Sequence, residues 1–444
     1  MGSSQMFDRQ PEIVPDIARG SPATPDRLMR HPTPNVPYTI ERLAWSDAIL
    51  GEIALAGEIV TLRSGFGSGL AIRAGGPAGH IWAVGDRGPN LKIEVAVKRY
   101  GLRALNKLAK LKGAKIMPRV DIGPALAELR VSDGAVEILR TIRLVSDDDV
   151  PVSGLPMPSS NDLLAEPVFD LAGRPLPADP NGLDSEGIVA MRDGSFWVAD
   201  EFAPSLVRVD AQGSIRRRLV PANCSVNGMS AAENVLPAIA SRRQLNRGFE
   251  GLTLSRDEKW LFLAFQSPLA HPDEAAHKRA RHVRLWQLDA ASGAVAAQYL
   301  YPLDPPETFR RDRARGGFAR EDIKVSEIVW IDDHALLVLE RGSETTKIYR
   351  CDFSSALALP PEHLEIETRP TVEQLSAGPD QFPLPVLAKT LLLSSDDMPE
   401  LVADMEGMAI VSPTELLLVN DNDFGVEGAE TSFWKVTFDA PVLQ

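Results

Sequence analysis

The chain has little of what most metal and disulfide scaffolds need. Its two cysteines, Cys224 and Cys351, lie far apart in 444 residues, which excludes a disulfide framework and a Cys-x-x-Cys metal site and leaves them as small buried apolar residues. The seven histidines (His31, His80, His271, His277, His282, His334 and His363) show no HxxxH or HxH spacing, so a zinc centre is not expected. No apolar run approaches the ~18 residues of a membrane-spanning helix. Basic residues are outnumbered, 47 Lys and Arg against 61 Asp and Glu, for a formal charge of -14. That excess argues against nucleic acid as a main partner, which needs a dominant basic face, and suits cation binding. No G-x-S-x-G elbow occurs, and GFGSG at 65–69 has the wrong spacing for one. A Gly-rich loop followed by Lys-Ser/Thr is missing too. No signal peptide is read either: MGSSQ at the start looks like a cloning remnant, so an export signal lost upstream and a cytoplasmic location both stay open.

What is present is a repeat. Four times an acid opens a short apolar run, and a second acidic or amide group closes another run further on. The copies are Glu186 to Glu201, Glu250 to Gln266, Glu327 to Glu340 and Glu406 to Asp421, with a degenerate copy from Ser68-Gly69 to Asp86. In an antiparallel hairpin the start of one strand lies beside the end of the next, so each copy sets two oxygen-rich side chains at one end of a sheet. Further strand pairs joined by Asp/Gly turns follow at 125–144, 205–221 and 281–303. Units of four strands with this order are propeller blades. The expected fold is therefore all-β, a β-propeller of five visible blades, with a sixth in diverged sequence left open.

Residues 1–37 are polar and Pro-rich and read as an irregular arm, leaving 38–444 as one propeller domain. Residues 38–62 are expected to lend an outer strand to the last blade near 431–441, closing the ring. An insertion at about 91–119 has helical spacing and carries nine Lys or Arg against Glu94 alone. It reads as a solvated helix packed across a blade or as a cationic lid over an acidic site.

Carboxylates converging at an axis repel by several kcal/mol per pair at ~4 Å, so some are protonated or a cation sits among them. Hard oxygen donors in this number suit Ca²⁺, or less tightly Mg²⁺ or Mn²⁺. A purely structural reading, in which the repeated Glu caps backbone amides of the next blade, stays open beside it. Near the acids stand Arg87, Arg247 and Arg341, candidate anion binders or salt-bridge partners. In VNDNDFG, strand alternation would place Asp421 and Asp423 on one side of a cation. The chemistry favoured is attack by a metal-activated water on phosphorus or a carbonyl.

The strings GDRGPN (85–90), VSGLP (152–156), DPNGLDSEGIVAMRDGSFWVADE (179–201), NRGFEGLTLS (246–255), VLERG (338–342), DMEGMAI (404–410) and NDNDFG (420–425) resemble the "esterase-like activity of phytase" proteins, bacterial phytase-like β-propellers. The resemblance spans nearly the whole chain beyond the N-terminal arm. It implies a propeller hydrolase, usually periplasmic or secreted, acting on phosphate or other esters with a divalent cation, commonly calcium. Carried over, it makes Asp86, Glu186, Glu201, Glu250, Glu340, Glu406 and Asp421 the rim acids and gives Arg87 and Arg341 the anionic group. Gln266 stands where similar proteins often show an acid, and the basic insert replaces a usually shorter link. Both departures bear on the substrate.

The function expected is a metal-dependent phosphoesterase acting on a small anionic ester. Ca²⁺ would be bound by those acids together with Asp423, Arg87 and Arg341 would hold the anion, and a rim glutamate, Glu186 or Glu250, would serve as base. A lactonase or carboxylesterase on the same scaffold is the alternative, and a non-catalytic propeller with a structural ion is another.

Overall fold

A computed structural model describes residues 29–31, 36–132, 134–160, 164–378 and 382–444. Among the described residues five blade sheets are built on antiparallel strands, with inner ones such as Ser185–Ala190 and Ala335–Arg341 buried along their whole length, and the blade 2 sheet adds a parallel edge strand, Ala232–Leu236. Blade 1 is Gly69–Ala71, His80–Val84, Ala125–Ser132 and Ala135–Arg143; blade 2 is Ser185–Ala190, Phe196–Asp200, Ser205–Val209 and Ile215–Pro221. Blade 3 comprises Phe249–Leu254, Trp260–Phe265, His282–Asp289 and Val295–Pro302; blade 4 comprises Lys324–Asp332, Ala335–Arg341, Thr346–Asp352 and Ala388–Ser394. Blade 5 takes Met405–Ser412, Glu415–Asn420 and Phe433–Phe438, and its fourth strand comes from the other end of the chain, Tyr38–Leu43. The first strand of every blade touches the first strand of the next, and that of blade 5 returns to blade 1. Among the described residues this is a closed ring of five, a β-propeller. The arm expected to be irregular through residue 37 contains one short strand, Met29–His31, paired with Tyr38–Leu43. The rest of it, apart from residues 36–37, lies outside the described residues.

The outer hairpins turn where the Asp/Gly pairs stand. Asp210, for example, accepts hydrogen bonds from the backbone amides of Gln212 and Ser214, and Gly213 adopts φ 92°. Such a turn needs an Asx acceptor and a left-handed residue. Between blades the inward faces pack as continuous apolar layers. Blades 2, 3 and 4 share one around Trp197, Phe249, Trp286 and Val338, all fully buried.

The basic insertion forms a helix, Ile93–Lys98, and a 3₁₀ stretch, Arg103–Lys110. Short strands Leu91–Lys92 and Lys115–Ile116 bracket it and join Val168–Phe169 in a three-stranded sheet. Ile93, Ala96, Leu105 and Leu108 bury their face against Leu62 of the hairpin Ile49–Leu55/Glu58–Arg63, Phe169 and Val426. The insertion is thus packed, and its Lys92, Lys112 and Lys115 line a cleft beside it. Among the described residues no helix is long and apolar enough to cross a membrane.

Candidate metal-binding active site

The site is built on a repeated irregularity. In blades 2 to 5 the pairing of the first two strands slips, between Ser185 and Ile188, Phe249 and Leu252, Val325 and Glu327, and Met405 and Gly407. A bulge at that point re-aims a side chain that regular pleating would send into the blade. Register then equates Glu186, Glu250, Ser326 and Glu406, with Ser68 in blade 1. On the second strand, Asp200, Phe265, Glu340 and Asn420 pair with the residue before the bulge. The residues that follow them, Glu201, Gln266, Arg341 and Asp421, with Asp86 in blade 1, are therefore equivalent.

Blade 4 departs from the expected pattern in both positions. Its inward pair is Ser326 and Arg341, fifteen residues apart like Glu186 and Glu201 or Glu406 and Asp421 and close to the sixteen of Glu250 and Gln266, and that near-constant spacing was the available signal. Glu340, expected at the rim, points the other way because neighbouring strand residues face opposite sides. It is fully buried between blades 3 and 4 and accepts from Tyr301 Oη (2.6 Å), Lys389 Nζ (2.8 Å) and the Asp304 amide (2.9 Å). Glu340 is a structural residue and no ligand of the axis. Glu327 occupies the register of the glycines in the other blades.

Among the described residues two groups of carboxylates close to within 4.8 Å, Asp86 with Asp184 and Glu186, and Asp86 with Asp421 and Asp423. Asp86 belongs to both. Asp184, which sequence reasoning passed over although it stands two residues before Glu186, is fully buried. Asp421 and Asp423 do meet, but in a tight turn and not along a strand: Asp423 has φ 47° and Phe424 φ 55°. Burial and then mutual repulsion raise the pKa of Asp86 and Glu186 well above the carboxylate range, the neighbours being Asp184 for Asp86 and chiefly Glu250 for Glu186. Glu201 is raised likewise by burial and by Asp184 and Glu250. Asp421 rises to about 7 through burial and Asp423. Asp184 goes the other way: against the effect of its burial, the Arg87 charge and bonds from Asp86 and Glu201 keep it ionised.

Arg87 and Arg341 were expected to hold the anion, but both are committed within the protein. Arg87 is buried and donates to Asp184 through Nε (3.0 Å) and Nη2, to Glu166 (2.6 Å) and to Asn246, with its guanidinium stacked over Phe202. Arg341 donates to Ser326 Oγ (2.8 Å), Asp404 (2.9 Å), the Gly342 carbonyl (3.2 Å) and Glu406. Of five N–H donors on a guanidinium, four are used in each case. These arginines orient the acids.

Glu250 accepts from Gln266 Nε2 (2.7 Å) and Ser326 Oγ (3.4 Å), while its Oε2, Glu201 Oε1 and Gln266 Oε1 are buried without a partner. Burial lifts Glu250, and Lys324, Gln266 and Arg341 draw it back, to about 7. Lys324, also missed from the sequence, is lowered to about 7 by burial and by Arg341 and Arg247, against the pull of Glu250 and Glu201. It lines a cleft of about 660 Å³ with Lys92, Lys112, Lys115, Arg247, Asn246 and Glu166. Arg247 Nη1 is buried without a partner there. The loops after blades 2 and 3 and the basic insertion form the walls.

The donor set fits a hard divalent cation: clustered carboxylates, unpartnered buried oxygens, and no Cys or His among them. A sequence profile of the family described as Phytase-like, "Esterase-like activity of phytase", matches residues 63–424. The chain belongs to this family. The phytase-like chain is also 28% identical over 340 residues to a protein of Arthroderma benhamiae named as an uncharacterized secreted protein, covering 64% of this chain. It spans 62% of that relative's length. Among solved structures it is similar to a luciferin-regenerating enzyme (10% identity, TM-score 0.33, 88% of this chain and 95% of the other). A PQQ-bound aldose sugar dehydrogenase from Streptomyces coelicolor is comparable (11% identity, TM-score 0.33, 89% and 98%).

Proposed function

We propose that this phytase-like propeller is a metal-dependent ester hydrolase whose preferred substrates are small phosphate esters. The observation that carries the reading is the pair of carboxylate groups joined at Asp86 beside a cleft lined by Lys324, Arg247, Lys92 and Lys115. Asp86, Asp184, Glu186, Asp421 and Asp423 would hold the ion, calcium in the first instance. Bound there, a divalent cation supplies Lewis-acid polarisation of an ester oxygen and a water of lowered pKa. Arg87 keeps Asp184 ionised and in place, and Arg341 holds Glu406 in place through its guanidinium. Lys324 and Arg247 face the cleft and bind the anionic part of the substrate. Glu250, with one free buried oxygen and a pKa of about 7, takes the proton of the attacking water, since a base works best near the operating pH. The secreted relative supports a place outside the cytoplasm.

The test is turnover of phosphomonoesters, phosphodiesters, phosphotriesters and lactones by wild type, Glu186→Gln and Glu250→Gln, with Ca²⁺, Mg²⁺, Mn²⁺ or EDTA. Both variants should lose at least about 10²-fold, as for other general acid–base groups, and EDTA should abolish turnover. Activity indifferent to chelation and to both substitutions would overturn the proposal, and a preference for lactones would move the substrate class from phosphorus to carbon.

A further inference from the structure

At the level of the bulges, four blades bring a glycine to the axis. A Cβ on Gly69 would lie 2.5 Å from the Glu186 carbonyl oxygen, one on Gly187 2.3 Å from that of Glu250, and one on Gly251 2.7 Å from the Ile328 nitrogen. Gly407 meets Val419 at 2.7 Å. The ring is too tight there for side chains, and blade 4 alone places one, Glu327. Its carboxylate is fully buried. One oxygen accepts from the Leu70 amide of blade 1 (3.3 Å), and the other from the Leu252 amide of blade 3 (3.4 Å) and its own Ile328 amide (3.0 Å). Blades 1 and 4 are not neighbours in the ring, so this side chain spans the axis.

Leu70, Leu252 and Ile328 also line a second cavity of about 490 Å³, mainly apolar there, with Val189, Ile410 and Trp330, while Arg256 and Glu258 lie elsewhere on its wall. Glu250 is the charged neighbour of Glu327. The carboxylate therefore stands between a mainly apolar chamber and the acidic ring.

We propose that Glu327 is a positioning residue, an axial tie that closes the channel and fixes the spacing of the acids around Glu250 and Glu186, so that ion affinity depends on it. This rests on the acid ring being the ion site proposed above. Acceptor chemistry is what matters: glutamine has the same size but turns an NH₂ toward amide N–H groups.

The experiment combines residue-resolved amide exchange with calcium titration calorimetry on the whole chain, in wild type, E327Q and E327G. In wild type the Leu70 and Leu252 amides should exchange as slowly as Val338 in the body of blade 4. E327G should speed both amides at least tenfold and E327Q, which keeps one acceptor oxygen, at least one of them; both should leave Val338 and Val436 unchanged and weaken calcium binding about tenfold or more. Fast exchange at Leu70 and Leu252 in wild type overturns the proposal, and decides it even where neither variant folds. Opened amides with unchanged calcium affinity overturn the positioning role. Wild type that binds no calcium would sink the ion reading, while the exchange data still judge the tie.

Discussion

Neutralising Asp86 should have opposite effects with and without calcium. Each pair of ionised carboxylates in its two groups lies within 4.8 Å, where Coulomb repulsion at an effective dielectric of 20 is about 3 kcal/mol. Arg87, with Nε 3.7 Å from Asp86, offsets part of this. Once pH exceeds the raised pKa of Asp86, relief in Asp86→Asn is about 1–3 kcal/mol, and asparagine keeps an oxygen to accept from the Arg87 amide. Unfolding entropy for a chain of this size is near 0.9 kcal/mol/K, so chelated Asp86→Asn should melt about 1–3 °C above chelated wild type. Wild type in calcium at 100 times Kd gains about 2.7 kcal/mol, or roughly 3 °C, and the variant should gain almost nothing. The raised carboxylates fix the pH sense. Their stabilising contribution is full below the unfolded carboxylate pKa and is lost as pH rises through the folded values. The gap between variant and wild type in EDTA should therefore widen from pH 5 to pH 8. Calorimetry in EDTA and in calcium measures all of this. A variant that is less stable in EDTA and still responds to calcium would refute the reasoning.

Other outcomes follow from single contacts. Gly187→Ala would drive a Cβ to 2.3 Å from the Glu250 backbone oxygen, costing about 3 kcal/mol or more in urea unfolding; Gly75→Ala, at φ 76° with nothing within 4 Å, should cost only about 1 kcal/mol. Lys324→Met should raise KM for an anionic ester about 10–100-fold with a smaller change in kcat. In wild type kcat/KM should fall as pH rises past about 7, where Lys324 loses its charge, and Lys324→Arg should move that limb upward. Burial first, then nearby arginines, lower His271 and His282 to about 4. Each ring contributes stability present above pH 6.5 and lost as pH falls toward 4, up to about 3 kcal/mol. In calcium-free buffer, urea midpoints between pH 7 and 5 should drop less for His282→Gln than for wild type.

The blades were legible because each hairpin carries its own apolar period and its own Asp/Gly turn, and the pairing of Tyr38–Leu43 with Phe433–Phe438 followed from the need to close the ring. Asp86, Glu186, Glu201, Glu250, Glu406 and Asp421 could be named because they end or begin strands. Asp184, Glu166, Asn246 and Lys324 could not, since they enter through loops and strand edges that only the closed ring brings together. Glu327 and Glu340 were misplaced for a different reason. A bulge shifts side-chain direction by one residue, and apolar runs do not report where it falls.

The last blade borrows its outer strand from the opposite end of the polypeptide, with Tyr38 paired to Phe438. During synthesis the segment Tyr38–Leu43 leaves the ribosome roughly 400 residues before its partner exists, an interval of about 20–80 s at ordinary elongation rates. For that time its hydrogen-bonding edge is bare and open to strands of other nascent chains. Yield in a heterologous host should thus depend on crowding of unfinished molecules and improve when translation is slowed or holding chaperones are supplied.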